Sequence, residues 1–403
     1  MELFWLEHKK LWRKKIVKIC VLLCFVYCVI FGSILSFQWF CFGSSDDYTS
    51  AFGNNFDGYT VIKDSQEYAL SFGGELTDET LQKIVSDYQQ MEADGMGEEL
   101  EKTDWQIVNS WLGTLYPELR DTSNYKTMIS YVDPDKLTGF YERRQQVLDE
   151  FLEVSGQVGA EKEFLHQIER KVEKPFRYEW VEGWSTLLGS MVADLGVVMA
   201  LFLGIVLSSL FAGEWHDNTS TLVLTTRNGW GKIALAKILT GLAFTVELFA
   251  LLAVSNVISQ LFFMGTAGWD MPIQNIKLIA VAPMNMLQAE IYEYAFVLLG
   301  AIGFAGIVMF ISAAVKNNVL TLLLSLAVVY GPMMIAEYLP YEMQKALDLI
   351  PLVGSSTDIF RTNTFRILGK LIWSPYLLIT IPVLIGILCM PFAIKSWSRR
   401  MKA

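Results

Sequence analysis

The chain has 403 residues, 53% of them hydrophobic, and carries 42 acidic against 32 basic side chains for a net charge of -10. Its mean hydropathy of +0.35 arises from long apolar blocks rather than from apolar residues spread at core periodicity, which excludes a purely soluble domain and indicates an integral membrane protein. The charge is regional: residues 43–183 hold 29 of the acidic side chains but only 13 of the basic ones, so one segment is acidic and the membrane portion is basic.

Met1 to Lys18 sets Leu3, Phe4, Leu11 and Trp12 among Lys9, Lys10, Arg13, Lys14, Lys15 and Lys18. Two readings stand for residues 1–15: an interfacial helix with its basic side toward anionic headgroups, or an ordinary positively charged anchor on the cytoplasmic side. The first transmembrane helix is expected over 16–42. Its apolar run is long, and Phe37-Gln38-Trp39-Phe40-Cys41 offers no small-residue site for signal cleavage. Within it Cys20, Cys24 and Cys28 share one helix stripe by their i, i+4, i+8 spacing. With no His or carboxylate joining them, they read as small packing residues. None of the five cysteines falls in the acidic segment, so a disulfide framework there is excluded.

Residues 43–183, soluble in character and large enough for a small domain, are expected outside the cell. Thr77 before Asp78 and Glu79, followed by Leu81, Ile84, Val85 and Tyr88, predicts a capped amphipathic helix. Further helices are predicted over Phe140 to Val154 and Glu161 to Val172. Trp105, Trp111, Tyr116, Tyr131 and Phe140 can supply a modest core for a mainly α, or α+β, domain. A spacer with some helix is the alternative.

Residues 184–403 are expected to form five further spans. The second enters near Trp184, the third ends near Met264, and a loop with Trp269, Asp270 and Pro272 leads to Glu290. The fourth covers Tyr294 to Val315, and a tight turn at Lys316-Asn317-Asn318 opens a fifth that ends near Tyr338. Tyr341 to Leu349 looks helical in a mixed stretch, and the sixth span is Ile372 to Ile394. The basic residues at both ends place both termini in the cytoplasm, although Arg361, Arg366 and Lys370 then fall outside.

The polar and basic segment Glu214 to Lys237, between two long apolar runs, is the cytosolic loop on which function turns. Leu222, Val223 and Leu224 among threonines suit a short helix that could fit a groove on a soluble partner; a plain connecting loop is the other reading. The chain has no phosphate loop, since Gly231-Lys232 precedes Ile233 and Thr226 stands where a first Gly is needed. His8, His166 and His216 lack metal-ligand spacing, and no Gly-x-Ser-x-Gly elbow occurs. An enzyme is therefore not expected, nor a cofactor or metal in this chain, nor a nucleic-acid partner.

Phe211-Ala-Gly-Glu214-Trp215, Asn218-Thr219 with the apolar run to Thr226, the Arg227-Asn228-Gly229 turn and Lys237 together resemble the loop between the second and third spans of exporter-type ATP-binding-cassette (ABC) permeases. Lys174-Pro175-Phe176-Arg177-Tyr178-Glu179-Trp180 resembles the entry to the second span in a branch of that family from Gram-positive bacteria. Met271-Pro-Ile-Gln-Asn275 and Ala282-Pro-Met-Asn-Met286 resemble its outer loop. The resemblance implies a second permease subunit, a separate ATPase subunit that holds ATP and magnesium, and a coupling role for Glu214, Trp215, Thr219, Leu222, Thr226, Arg227 and Lys237. Trp230 departs from the small or basic residue common there. The substrate is unread, a cationic peptide being favoured by the acidic ectodomain alone. The competing class is a membrane-anchored sensor whose ectodomain binds a ligand and whose loop recruits a signalling protein.

Asp194 and Glu247 are carboxylates expected near mid-membrane, with no Lys or Arg inside any span to pair with them. Either they are protonated and bonded to neighbours such as Ser190, Ser255 or Asn256, or they line a translocation path.

Overall fold

The computed structural model describes residues 2–30, 62–63, 66–67, 69, 73–96, 105–121, 126–188, 192–219, 231–354 and 363–399. Among these the chain is mostly α-helical, with two small antiparallel sheets. Five of the described helices are long and apolar enough to cross a membrane.

Helices α1 (Glu2–Arg13) and α2 (Lys15–Val29) meet at a break at Lys14. Val17, Cys20, Cys24 and Cys28 form the buried stripe of α2, so the thiols pack as their spacing predicts. The remainder of the first expected span, 31–42, lies outside the described residues.

The acidic segment folds around its own core. Strand β1 (Gly74–Leu76) precedes α3 (Asp78–Met91), where Thr77 Oγ1 caps the helix by accepting from Thr80 N at 3.2 Å. The predicted stripe of Leu81, Ile84, Val85 and Tyr88 is buried. Helices α4 (Trp105–Leu115), α5 (Phe140–Val154) and α6 (Ala160–Glu169) follow, and β2 (Phe176–Tyr178) pairs antiparallel with β1. Trp111, Tyr116 and Phe140 fill the core and Tyr131 packs against it; the side chain of Trp105 lies outside the described set. The last helix stops at Glu169 rather than Val172, because Lys171 N and Val172 N turn to Ile168 O and Glu169 O in tighter i→i+3 bonds.

The short α7 (Glu182–Thr186) leads into α8 (Val192–His216), α9 (Lys232–Met264), α10 (Met286–Val315) and α11 (Asn318–Ile335). After α12 (Tyr341–Leu347), a hairpin of β3 (Thr364–Ile367) and β4 (Lys370–Trp373) opens α13 (Ser374–Arg399). Three expectations are corrected here. Helix α10 starts at Met286, not Tyr294, because Asn285 and Gln288 close a capping box, so Glu290 belongs to a span and not to a loop. Ile372 is a strand residue, and α13 begins after it. The helix at Tyr341 ends at Leu347, not Leu349.

Helix α10 packs against α8, α9, α11 and α13. Its crossing with α13 is backbone on backbone: a Cβ on Gly306 would stand 2.4 Å from Gly386 O, and one on Gly386 would stand 2.5 Å from Gly303 Cα. Small residues allow this approach, and the close packing it gives is what holds helices together where lipid removes the hydrophobic drive. Toward α8 the tie is polar. Ser312 Oγ donates to Ser208 O at 2.7 Å and accepts from Phe211 N and Ala212 N at 3.1 Å, entering the ladder of the neighbouring helix.

The bundle has two distinct ends. At the domain end, Arg144 is fully buried and reaches from α5 into the segment joining α9 and α10, where Nε donates to Leu278 O at 2.8 Å and Nη2 to Ala280 O at 3.2 Å. Its Nη1 pairs with Glu169 at 2.6 Å, and Lys174 reaches the same oxygen at 2.9 Å. Trp111 Nε1 donates to Asn275 O, and Asn275 Nδ2 to Arg177 O, each at 2.9 Å. Gln274 braces the segment through Ala280 O and Ala282 O at 3.0 and 2.9 Å. The Met271–Asn275 and Ala282–Met286 stretches therefore form the platform that carries the acidic domain.

Candidate functional site

At the opposite, loop end, α8 terminates where Asn218 adopts a positive φ of 55°, a conformation Asn tolerates better than most residues. The chain then doubles back: Thr219 N donates to Glu214 O at 3.0 Å, and Thr219 Oγ1 donates to the Glu214 carboxylate. The Asn-Thr pair thus has a local physical purpose, closing the helix and orienting Glu214.

Glu214 is the hub of a charged cluster. Its Oε1 accepts from Lys237 on α9 at 2.8 Å and from Lys10 on α1 at 2.6 Å. Lys237 also pairs with Glu7 of α1 at 2.8 Å and donates to Leu210 O at 3.1 Å. Lys14 Nζ donates to Ser209 Oγ at 2.9 Å. A small cleft remains between these groups, lined by Glu7, Lys10, Lys14, Glu214, Asp217 and Lys237. Burial disfavours the charge on Lys10, but the hydrogen bond and charge of Glu214 outweigh it and raise the Lys10 pKa above the ordinary lysine value. Lys14 goes the other way: burial, with Lys237 and Lys10 nearby, lowers it.

Trp215 is bound differently, its ring centroid 6.1 Å from that of Trp397 on α13. Lys316, in the turn between α10 and α11, lies 4.3 Å over the same ring. One helix turn thus touches α1 and α9 through Glu214, and α13 and the α10–α11 turn through Trp215. The structure brings together Glu214, Trp215, Thr219 and Lys237. Leu222, Thr226 and Arg227 lie outside the described residues, as does Trp230. Glu214 and Lys237 are buried, so they hold the roots of the loop and present no surface to a partner.

The remaining two carboxylates are separated. Asp194 is exposed, in the first described turn of α8. Glu247 lies midway along α9 and does have partners, which come from outside the spans: His8 Nε2 at 3.2 Å and the donating Trp12 Nε1 at 3.0 Å. Of the neighbours expected from the sequence, Ser255 is turned to its own helix, its Oγ donating to Leu251 O at 2.5 Å, and Ser190 lies outside the described residues. Trp12 also packs edge-on against Phe244 at 5.7 Å. Helix α1 accordingly lies along α9 from Lys237 to Glu247, and this half-buried belt was missed in the sequence, although its mixture of Glu7, His8, Lys10 and Trp12 was visible there.

Fold and site together define a multi-pass α-helical membrane protein with a folded acidic domain at one end and a charged, α1-bound loop root at the other. No family model matches the chain, and no curated protein or solved structure does either.

Proposed function

We propose that this chain is the permease subunit of an ATP-driven exporter of the ABC type, working with a second permease subunit and a separate ATPase subunit that supplies ATP and magnesium. The observation that carries the reading is the position of Glu214 and Trp215 at the root of the 214–237 loop. A push on that loop has direct mechanical routes to α1, α9, α13 and the α10–α11 turn, which is what a coupling element requires. Six spans fit this arrangement. Helix α1 packs at the loop end, whereas Ile62 and Ala69 pack with Trp180 and Met264 at the domain end, which supports a further span between them. The excess of Lys and Arg around the loop end supports a cytoplasmic location for it and for both termini, with the acidic domain outside the cell membrane. Electrostatic steering by that domain favours a cationic peptide as substrate.

Photo-crosslinkers at Leu222, Thr226 and Trp230 test the reading in native membranes. Capture of a Walker-type ATPase is the expected result, and capture of lipid alone removes its main support. A second reading, a sensor that recruits a cytosolic signalling partner, draws on the Arg144 platform, through which ligand binding by the acidic domain would reach α9 and α10. In that case the same crosslinkers capture a kinase or adaptor.

A further inference from the structure

A second polar cluster lies between α9 and α10, away from the loop root. Asn256 and Gln260 are one helix turn apart on α9, and Glu290 and Tyr294 are one turn apart on α10, so each pair shares a helix face. The two helices run antiparallel and pack together, which sets the pairs against each other. Asn256, Gln260 and Glu290 are at most 3% exposed. The Tyr294 hydroxyl stands between Asn256 and Glu290, near enough to interact with both. Yet Asn256 Oδ1, Gln260 Oε1 and Nε2, both Glu290 carboxylate oxygens and Tyr294 Oη have no partner in hydrogen-bonding geometry. Buried polar atoms are normally satisfied, and a group left this way in a membrane interior calls for a ligand or a functional reason.

We infer that these four side chains form a binding site for a monovalent alkali cation. Five of the six atoms are oxygens, the donor that hard cations prefer. A proton on Glu290 would supply a single donor, whereas a cation seated at the Glu290 carboxylate would draw on neighbouring oxygens as ligands. A single carboxylate balances a single positive charge. Among the described residues no group of three His, Cys, Asp or Glu side chains gathers, so the donor set is not that of a divalent transition-metal site.

The test uses the full-length protein in detergent at fixed pH and ionic strength, with sodium, potassium or choline as the only cation. The expected result is a higher unfolding midpoint in sodium or potassium than in choline, the larger shift naming the ion. That difference should vanish in Glu290→Gln, which keeps the shape of the side chain, and shrink in Asn256→Ala. Line broadening of the sodium NMR signal by the wild type, lost in Glu290→Gln, reads binding without reference to stability. Equal midpoints in all three salts overturn the proposal. So does a Glu290→Gln midpoint raised equally in every salt, which would mean that Glu290 carries only a proton.

Discussion

Lys237 and Glu214 meet at 2.8 Å with 2% and 4% of their side chains exposed, joining the two roots of the loop that separates α8 from α9. Breaking a buried pair by removing one partner typically costs about 3–5 kcal/mol, whereas replacing both by apolar groups of similar volume is often close to neutral. Lys237→Met should therefore destabilise the protein strongly, by leaving the buried Glu214 with the half-exposed Lys10. Glu214→Leu combined with Lys237→Met should recover much of the loss. Denaturation midpoints of the two single variants and the double variant decide this; strictly additive losses would show that the pair is not coupled.

The glycine crossing of α10 and α13 makes a sharper steric prediction. Gly386→Leu drives a side chain into the Gly303 backbone, which cannot move aside as a flexible side chain would, so the loss should exceed the roughly 1–3 kcal/mol usual for overpacking. Gly331→Ala on α11 is the control, since nothing lies within 4 Å of a Cβ there. Size-exclusion profiles and thermal midpoints should show the first variant aggregated or strongly destabilised and the second close to wild type. Equal behaviour would mean that the crossing is looser than its geometry.

Attachment of the acidic domain should be sensitive to acid through Glu169. Burial opposes ionisation of this carboxyl, but hydrogen bonds from Lys174 and Arg144 outweigh it and hold its pKa below the usual carboxylate range. A depressed carboxyl contributes stability above the ordinary glutamate range and loses it as pH falls through the folded value. The wild type should thus lose domain packing on the acid side, and Glu169→Gln should be weaker at neutral pH with a flatter acid limb. Tryptophan fluorescence followed through an acid titration reads both; unchanged acid limbs would remove Glu169 from the linkage.

These predictions rest unevenly on what could be read in the sequence. Helices α3 and α5 were legible because cap and stripe are local: Thr77 and the Leu81–Tyr88 spacing, then Phe140 to Val154. The start of α10 was also written locally, in Asn285 and Gln288, but its polar first turns with Glu290 and Glu293 resemble a loop when hydropathy alone sets the boundary. The β3–β4 hairpin was hidden by its turn, where Leu368 takes a positive φ of 50° that leucine rarely signals. The loop-root cluster shows the main limit. Glu214 and Lys237 were marked as coupling residues, but Lys10 and Glu7 lie 204 and 230 positions from the partners they hold, and no periodicity reports a contact of that span.

Helix α1 supplies the last prediction. It is amphipathic, and its Trp5 and Leu6 are exposed at 62% and 63%, so it offers an apolar edge to the membrane interface. Its opposite side is held by ion pairs to Lys237 and Glu214 and by the contacts of His8 and Trp12 with Glu247. Trp12 holds α9 twice, by its hydrogen bond to Glu247 at 3.0 Å and by its packing on Phe244, and His8 once, at 3.2 Å from Glu247, so Trp12 should carry more of the grip than His8. Glu247→Ala should therefore loosen α1 modestly, Trp12→Ala should loosen it more, and both should leave the acidic domain intact. Trypsin at Lys9 and Arg13, or hydrogen exchange across residues 2–13, reads the opening of α1, and protection of α5 serves as the internal control. Unchanged protection in Trp12→Ala would mean that the ion pairs with Glu214 and Lys237 hold α1 alone, and opening of α5 together with α1 would mean that the variant has unfolded rather than released its N-terminal helix.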